Sequence, residues 1–469
     1  MAEPVAVVVR PGAGRGLAGA LLAASLMPLN STMVAVAVPS IAGTVDHDPA
    51  DVTQALVATY LIAAIALQGP GGKLGDRLGH WRVCLLGQAV MAVGAVAGFL
   101  APDLWVLAGS RILMATGGAL AVPATVALLR VELPPERRGR AFGTFGAVMA
   151  SAAALGPLLG GALVDAFGWE AVFLVNLPVL LVAALLVAGA DRGHDARPVA
   201  AFDWPGSVLL TAALALLVLG AESMVAGRWG AVVVVSGLVL LAAFVVRERR
   251  AADPVIDLGI FRVRAFTAGT LLVCLQNLVM YALVFELPLV LERLFDLGAR
   301  ETGQLLVFLM AAMVLVSPVA GRLTERYGAR PVAVAGSLAC LVGLLLLQVG
   351  GLDTAGEVRL PLVLLGAGLG LSSPAAQTAS LSAIDPARSG MAAGVGSTMR
   401  YLGGVAGVAV LGRVLDVQGS ADAVRASHDE TTAVFTGVLV VALACACLLP
   451  GLPGRPGRPR DGEDRPHLR

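Results

Sequence analysis

Three ionisable side chains set inside long apolar runs are the residues most able to do chemistry: Arg111, Glu286 and Arg400. A charge in the hydrocarbon layer of a membrane is costly, so each needs a partner, a watery cavity or a task. Arg111 stays charged at any accessible pH. Asn30 lies at a similar depth in the first run, and if the two runs face one another they line the same part of a cavity. The plainer alternative is a structural arginine satisfied by backbone carbonyls. Glu286, in Tyr281-Ala282-Leu283-Val284-Phe285-Glu286-Leu287-Pro288, is the one carboxylate clearly inside a run. It is a candidate proton carrier and a candidate partner for Arg111; an interfacial carboxylate at a helix end is the competing reading. Gln276, Asn277 and Tyr281 add a polar patch to the same run. Amides and hydroxyls in a greasy cavity fit a mostly apolar ligand with a few polar groups.

Other chemistries find no footing. There is no credible paired-carboxylate, metal or nucleophile site, so no enzyme, metal or cofactor is expected. Cys84, Cys274, Cys340, Cys445 and Cys447 fall in or at the edge of apolar runs without metal-ligand spacing. His47, His80, His194, His428 and His467 all read as loop or tail residues, which argues against a buried histidine relay. The spacing of a P-loop is absent, so energy should come from a gradient rather than ATP.

The elements that must position these residues are helices in a membrane. The chain is 57% hydrophobic and 14% charged, against about 25% charge in a soluble domain. Apolar runs of bilayer-spanning length recur from end to end. They are continuous, which excludes the short alternating segments of a barrel. Fourteen spans can be counted, near 17–39, 54–72, 83–101, 104–129, 141–163, 170–189, 205–223, 229–246, 266–290, 302–320, 331–350, 358–380, 390–412 and 432–450. With the N-terminus in the cytoplasm, the cytoplasmic segments hold 25 basic residues and the outer loops six. That asymmetry puts both termini in the cytoplasm. A net charge of +1 offers no field for nucleic acid.

Two short charged stretches repeat. Gly72-Lys73-Leu74-Gly75-Asp76-Arg77-Leu78-Gly79-His80-Trp81-Arg82 returns 249 residues later as Gly321-Arg322-Leu323-Thr324-Glu325-Arg326-Tyr327-Gly328-Ala329-Arg330. Both read as tight loops, between spans 2 and 3 and between spans 10 and 11. An offset of eight spans implies two six-helix halves with an extra pair between them. The expected divisions are a cytoplasmic N-terminus 1–16, a bundle 17–189, a linker 190–265 with two added helices, a bundle 266–450 and a disordered cytoplasmic tail 451–469. Gly72, Asp76, Arg77, Gly79, Arg82, Glu325 and Arg326 are candidates for a latch broken and remade as the halves rock; a charged topology anchor is the alternative. Gly156 and Gly160 form a small-xxx-small face widened by Gly161, and Pro157 can bend that helix. This element serves as packing, as a hinge or seal, or as both.

These residues resemble the major facilitator superfamily, and within it the fourteen-helix drug:proton antiporter branch, over roughly 17–450. The carriers of the resemblance are the 72–82 stretch, Gly156-Pro157-Leu158-Leu159-Gly160-Gly161 in the fifth span, and Gly168-Trp169 through Asn176-Leu177-Pro178 opening the sixth. Two positions depart from it. The branch's first-helix carboxylate is Asn30 here, and its fourth-helix pattern keeps Arg111 and Gly117 but loses a glutamine and a glycine. The resemblance implies an all-α membrane protein of two six-helix bundles plus two helices, exporting amphipathic compounds by proton antiport. It also implies a plasma-membrane location and a monomer, with a small organic substrate, protons and lipid as partners. Because the branch's carboxylate serves proton coupling and cation recognition, Asn30 turns the expectation towards neutral or anionic substrates. An uncoupled facilitator or importer of a metabolite, and a non-transporting sensor or scaffold, are the alternatives.

Overall fold

The structure, a computed structural model, describes residues 13–45, 52, 54–188, 203–223, 228–251, 253–297, 299–349, 354–415 and 420–451. Most of the expected N-terminal segment 1–16, the tail beyond 451 and residues 189–202 of the expected linker lie outside these residues. Fourteen long helices follow one another: α1 (Ala13–Val45), α2 (Thr59–Leu78), α3 (His80–Phe99), α4 (Leu104–Val131), α5 (Pro135–Phe167), α6 (Ala171–Ala188), α7 (Trp204–Ser223), α8 (Arg228–Glu248), α9 (Arg264–Phe295), α10 (Ala299–Tyr327), α11 (Ala329–Val349), α12 (Arg359–Ser382), α13 (Ser389–Val414) and α14 (Ala421–Cys447). No strand occurs among the described residues.

Twelve of these helices are long and apolar enough to cross a bilayer, and the apolar part of α7 is shorter. The exception by composition is α13, which carries Arg400 and seven glycines between Gly390 and Gly412; it is held between α9 and α2. Apolar side chains such as Leu158, Leu185 and Leu315 stay exposed on the flanks, where lipid replaces the missing protein partner. Helices suit this setting because all their backbone bonds close internally. Hydroxyls also bond back within the helix: Ser31 and Thr32 Oγ atoms donate to the Pro28 carbonyl at 2.8 and 3.2 Å.

Two bundles repeat one packing scheme. In the first, α1 packs on α5, α6 and α4, while α4 packs on α3 and α2. In the second, α9 packs on α13, α14 and α12, while α12 packs on α11 and α10. The bundles meet through α2 against α13 and α5 against α10, which are equivalent pairs under that repeat. The α7–α8 hairpin stands outside both bundles and packs chiefly on α2.

The charged stretch 72–82 is not the loop expected from its composition. Helix α2 continues through Asp76 and Arg77 to Leu78, and the chain turns at a single residue, Gly79, with φ 90°. Its repeat behaves alike: α10 runs to Tyr327 and turns at Gly328, φ 86°. Only glycine takes that conformation without steric cost. The apolar core of the second half is split in two, one cluster running from Val279 to Leu439 and another from Ala268 to Leu449. At the level of the split, Ser372 Oγ donates to Gln276 Oε1 at 2.7 Å and Gln276 Nε2 reaches Ser337 Oγ at 3.3 Å.

Candidate functional site

Between the bundles lies a cavity of about 530 Å³, lined from α1 by Pro28, Ser31 and Thr32, from α2 by Tyr60 and Leu61, and from α9 and α13 by Tyr281, Phe285 and Tyr401 among others. Its walls come from the halves of α2, α9 and α13 remote from Gly79 and Gly328. Arg413 stands at its rim, and none of the described residues lining it carries a carboxylate. Three of the chain's four tyrosines meet here. Their rings give flat apolar faces with a polar edge, a surface suited to aromatic or amphipathic ligands.

Of the residues singled out in the sequence, Tyr281 lines this cavity. Asn30 and Arg111 are brought together but behind its wall, each 1% exposed. Arg111 Nη2 donates to the Asn30 carbonyl and Nε to the Leu56 carbonyl, both at 3.1 Å. Leu56 sits in a π-helical turn, Gln54–Ala58, just ahead of α2, a distortion that offers carbonyls to outside donors. The guanidinium also covers the Tyr60 ring at 4.0 Å, a cation–π contact. Arg111 is thus separated from the cavity by Tyr60 and is not among its lining residues. Asn30 Nδ2 donates to Leu26 O at 2.8 Å and to Asn176 Oδ1 at 2.7 Å. Gln276 is buried in the second bundle's core, and Asn277 donates to the Val273 carbonyl at 2.8 Å. Arg400 lines a separate small void with Phe266, Thr270, Gln377 and Ser380, among α9, α12 and α13.

Glu286 is not the partner of Arg111. It is fully buried and faces α14, where its Oε1 lies 2.6 Å from His428 Nδ1. The expectation that all histidines lie in loops is overturned here. Helix α14 begins at Ala421, about three turns before the apolar run, and His428 is 1% exposed. The polar first turns of α14 concealed it from a hydropathy reading. His80 likewise opens α3.

At the opposite end from the cavity the bundles are shut. The Asp76 carboxylate accepts the backbone N–H groups of Gly390 and Met391, at 2.7 and 2.8 Å, at the start of α13. A carboxylate at a helix N-terminus is stabilised by the amides and by the helix dipole. Its repeat, Glu325, accepts from Arg140 N at 2.8 Å and pairs with Arg140 Nε at 2.8 Å. Arg77 and Lys73 both pair with Asp253, in the segment after α8. Arg82 and Arg326 are exposed, the latter beside the Tyr327 ring. Arg130, not singled out in the sequence, ties α4 to Ser389 and the Ile384 carbonyl. A Cβ at Gly72 would overlap the Gly390 carbonyl, and one at Gly321 the Gly139 carbonyl; the helices cross at backbone contact. The Gly156 element does the same within the first bundle. A Cβ at Gly160 would come 2.6 Å from the Met33 carbonyl, one at Gly156 would strike Thr32, and Gly161 and Pro157 face outward beside them.

This architecture has known counterparts. The sequence model of the Major Facilitator Superfamily matches residues 20–408. The chain is 33% identical over 472 residues to the tetracenomycin C resistance and export protein of Streptomyces glaucescens, covering 96% of this chain and 87% of that one. It is 32% identical over 403 residues to the multidrug efflux pump LfrA of Mycolicibacterium smegmatis, covering 83% and 78%. Among solved structures, the human organic anion transporter MFSD10 shares the fold with a TM-score of 0.69 at 16% identity, over 93% of this chain and 100% of that one. The chain belongs to the major facilitator superfamily, among its multidrug-efflux-type members.

Proposed function

We propose that this secondary transporter of small organic compounds exports amphipathic substrates that are neutral or anionic, by alternating access in exchange for protons. The cavity carries the reading: about 530 Å³, within the range of small-molecule sites, walled by tyrosines and aliphatic side chains, and free of carboxylates among its described lining residues. A strongly cationic ligand would meet no counter-charge there and would sit near Arg413. The relative named for export of tetracenomycin C supports the outward direction. With the arginine-rich ends of α2 and α10 in the cytoplasm, the chain is an inner-membrane protein with both termini inside, and this structure is its outward-facing state. Asp76, Glu325 and Arg130 then hold the cytoplasmic gate, and transport requires breaking those contacts and closing the outer mouth. The transporting unit is a monomer, since each chain encloses its own cavity.

Matched anionic, neutral and cationic dyes, tested with purified protein in proteoliposomes under an imposed pH gradient, check this. Gradient-driven movement of neutral and anionic dyes is expected. A clear preference for dications overturns the substrate class. Downhill flux that ignores the gradient favours an uncoupled facilitator, the reading to which Asn30 in place of a carboxylate points.

A further inference from the structure

His428 Nδ1 and Glu286 Oε1 lie 2.6 Å apart where α9 and α14 pack inside the second bundle. Two bare lone pairs would repel at that distance, so one proton occupies the contact. With that proton, and with Nε2 carrying its own hydrogen, the pair is neutral overall, as carboxylate with imidazolium or as acid with imidazole. Losing it leaves a net negative charge and gaining a second leaves a net positive one. Either state, sealed from water, carries the desolvation penalty of a buried ion. The number of protons held therefore follows whether water reaches the pair, and access to water is the property that alternating access changes.

Two further features fit a working site better than a strut. Glu286 Oε2 and His428 Nε2 are both buried without a hydrogen-bond partner among the described residues. Buried polar atoms in native structures are nearly always satisfied, and these two are the atoms that entering water would reach. The pair also shares a turn of α9 with the cavity: Tyr281 and Phe285 line it, while Glu286 faces the other way. A substrate pressing on Phe285 bears on the helical turn that holds Glu286.

We propose that Glu286 and His428 are the proton-carrying site of this transporter, taking one proton from the outer solution and releasing it inside in the opposite state; the assignment rests on the antiport reading above. The step makes and breaks only O–H and N–H bonds, and the transported proton balances it. The charged side chains at this level are on the ends of the surrounding helices: Glu292 and Arg293 of α9, Glu301 of α10, Arg359 of α12 and Arg413 of α13, all exposed. On α14 itself, Asp429 and Glu430 are exposed and Arg425 is half-buried. Within the bundle, Glu286 and His428 face each other.

Glu286→Gln and His428→Gln keep a hydrogen-bonding group of similar size. Purified wild type and both variants would be compared in proteoliposomes for substrate exchange at equal pH and for flux driven by a pH gradient. The expected result is equal-pH exchange retained in both variants with the gradient response lost. Variants that keep the wild-type gradient response overturn the assignment while leaving antiport standing. Variants that lose both activities together mark a structural pair and also overturn it. Wild-type flux indifferent to the gradient overturns antiport itself, and the assignment with it.

Discussion

Asn30 bears on coupling more directly than any other departure from the branch pattern, and its surroundings explain why it is not a simple vacancy for a carboxylate. Its amide donates to two oxygens, Leu26 O and Asn176 Oδ1, and the Asn176 amide is itself engaged with the Val172 and Phe173 carbonyls at 3.1 Å each. An aspartate at this position would set a charge against two acceptors in a fully buried place. Leaving buried polar groups mispaired costs about 1–3 kcal/mol, more for a charge. Asn30→Asp should therefore lower thermal stability in detergent and fail to create transport of dications. A variant as stable as wild type that gains such transport would refute this account. Asparagine and arginine in the first and fourth spans were legible in the sequence as neighbours needing partners. Satisfaction of Arg111 by backbone carbonyls was the plainer alternative in the sequence, but which carbonyls, and the Tyr60 ring face, were not legible, because neither leaves a mark in residue types. Tyr60, which separates Arg111 from the cavity, belongs to a run that reads simply as apolar.

Backbone contact between helices, beside the side-chain bonds, decides how the bundles close. Gly72 meets Gly390, Gly394 meets the Gln68 carbonyl, Gly321 meets Gly139, and Gly143 meets the Ser317 carbonyl. Each bundle thus lends one glycine-faced helix to the other. Valine at Gly390 would place its branched side chain on the Gly72 backbone, which cannot yield as a flexible side chain would. Repulsion of about 5.5 kcal/mol is enough to turn a 99:1 preference into 1:99, and a backbone overlap reaches that scale. Gly390→Val should therefore open the end carrying Gly79 and Gly328. Spin labels on the ends of α2 and α13 should move apart, whereas Gly437→Val, where a Cβ meets nothing within 4 Å, should change nothing. An unchanged distance distribution in Gly390→Val would refute the argument. The repeat of residues 72–82 was plain in the sequence. Its receiving surfaces form a second repeat that was equally readable: Pro135-x-Arg137-x-Gly139-x-x-x-Gly143 and Pro386-x-Arg388-x-Gly390-x-x-x-Gly394. Span limits read from hydropathy stop where charge begins, yet helices continue beyond the apolar layer. That is why residues 72–78 and 421–431 were misplaced.

On the scale of the whole molecule, the added α7–α8 hairpin does more than lengthen the chain. The segment leaving α8 crosses the closed end and touches both bundles. Asp253 pairs with Lys73 and Arg77 of α2, while Asp257 pairs with Arg388 beside the start of α13. Glu248 Oε2 anchors the segment by accepting from Ile256 N at 3.1 Å. No composition signal marks such a strap, since ion pairing across 131 residues or more depends on the assembled bundles. Burial opposes ionisation of Asp253, but the hydrogen bonds from Lys73 and Arg77 outweigh it and hold its carboxyl below the ordinary value of 3.8. A carboxylate held down in this way contributes fully above its unfolded value and loses that contribution only as pH falls through the folded one. Around neutrality the Asp253 pairs are therefore constant. Its pairs are partly exposed, so Asp253→Asn should weaken the closed end by about 1 kcal/mol, on the order of a fivefold change in the ratio of the two facing states. Electron-spin distances across the closed end, measured from about pH 5.5 to pH 8, should show that offset at every pH. An offset that shrinks towards about pH 5.5 would mean that Asp253 itself titrates in that range. A constant offset leaves any pH response of the facing states to groups other than Asp253.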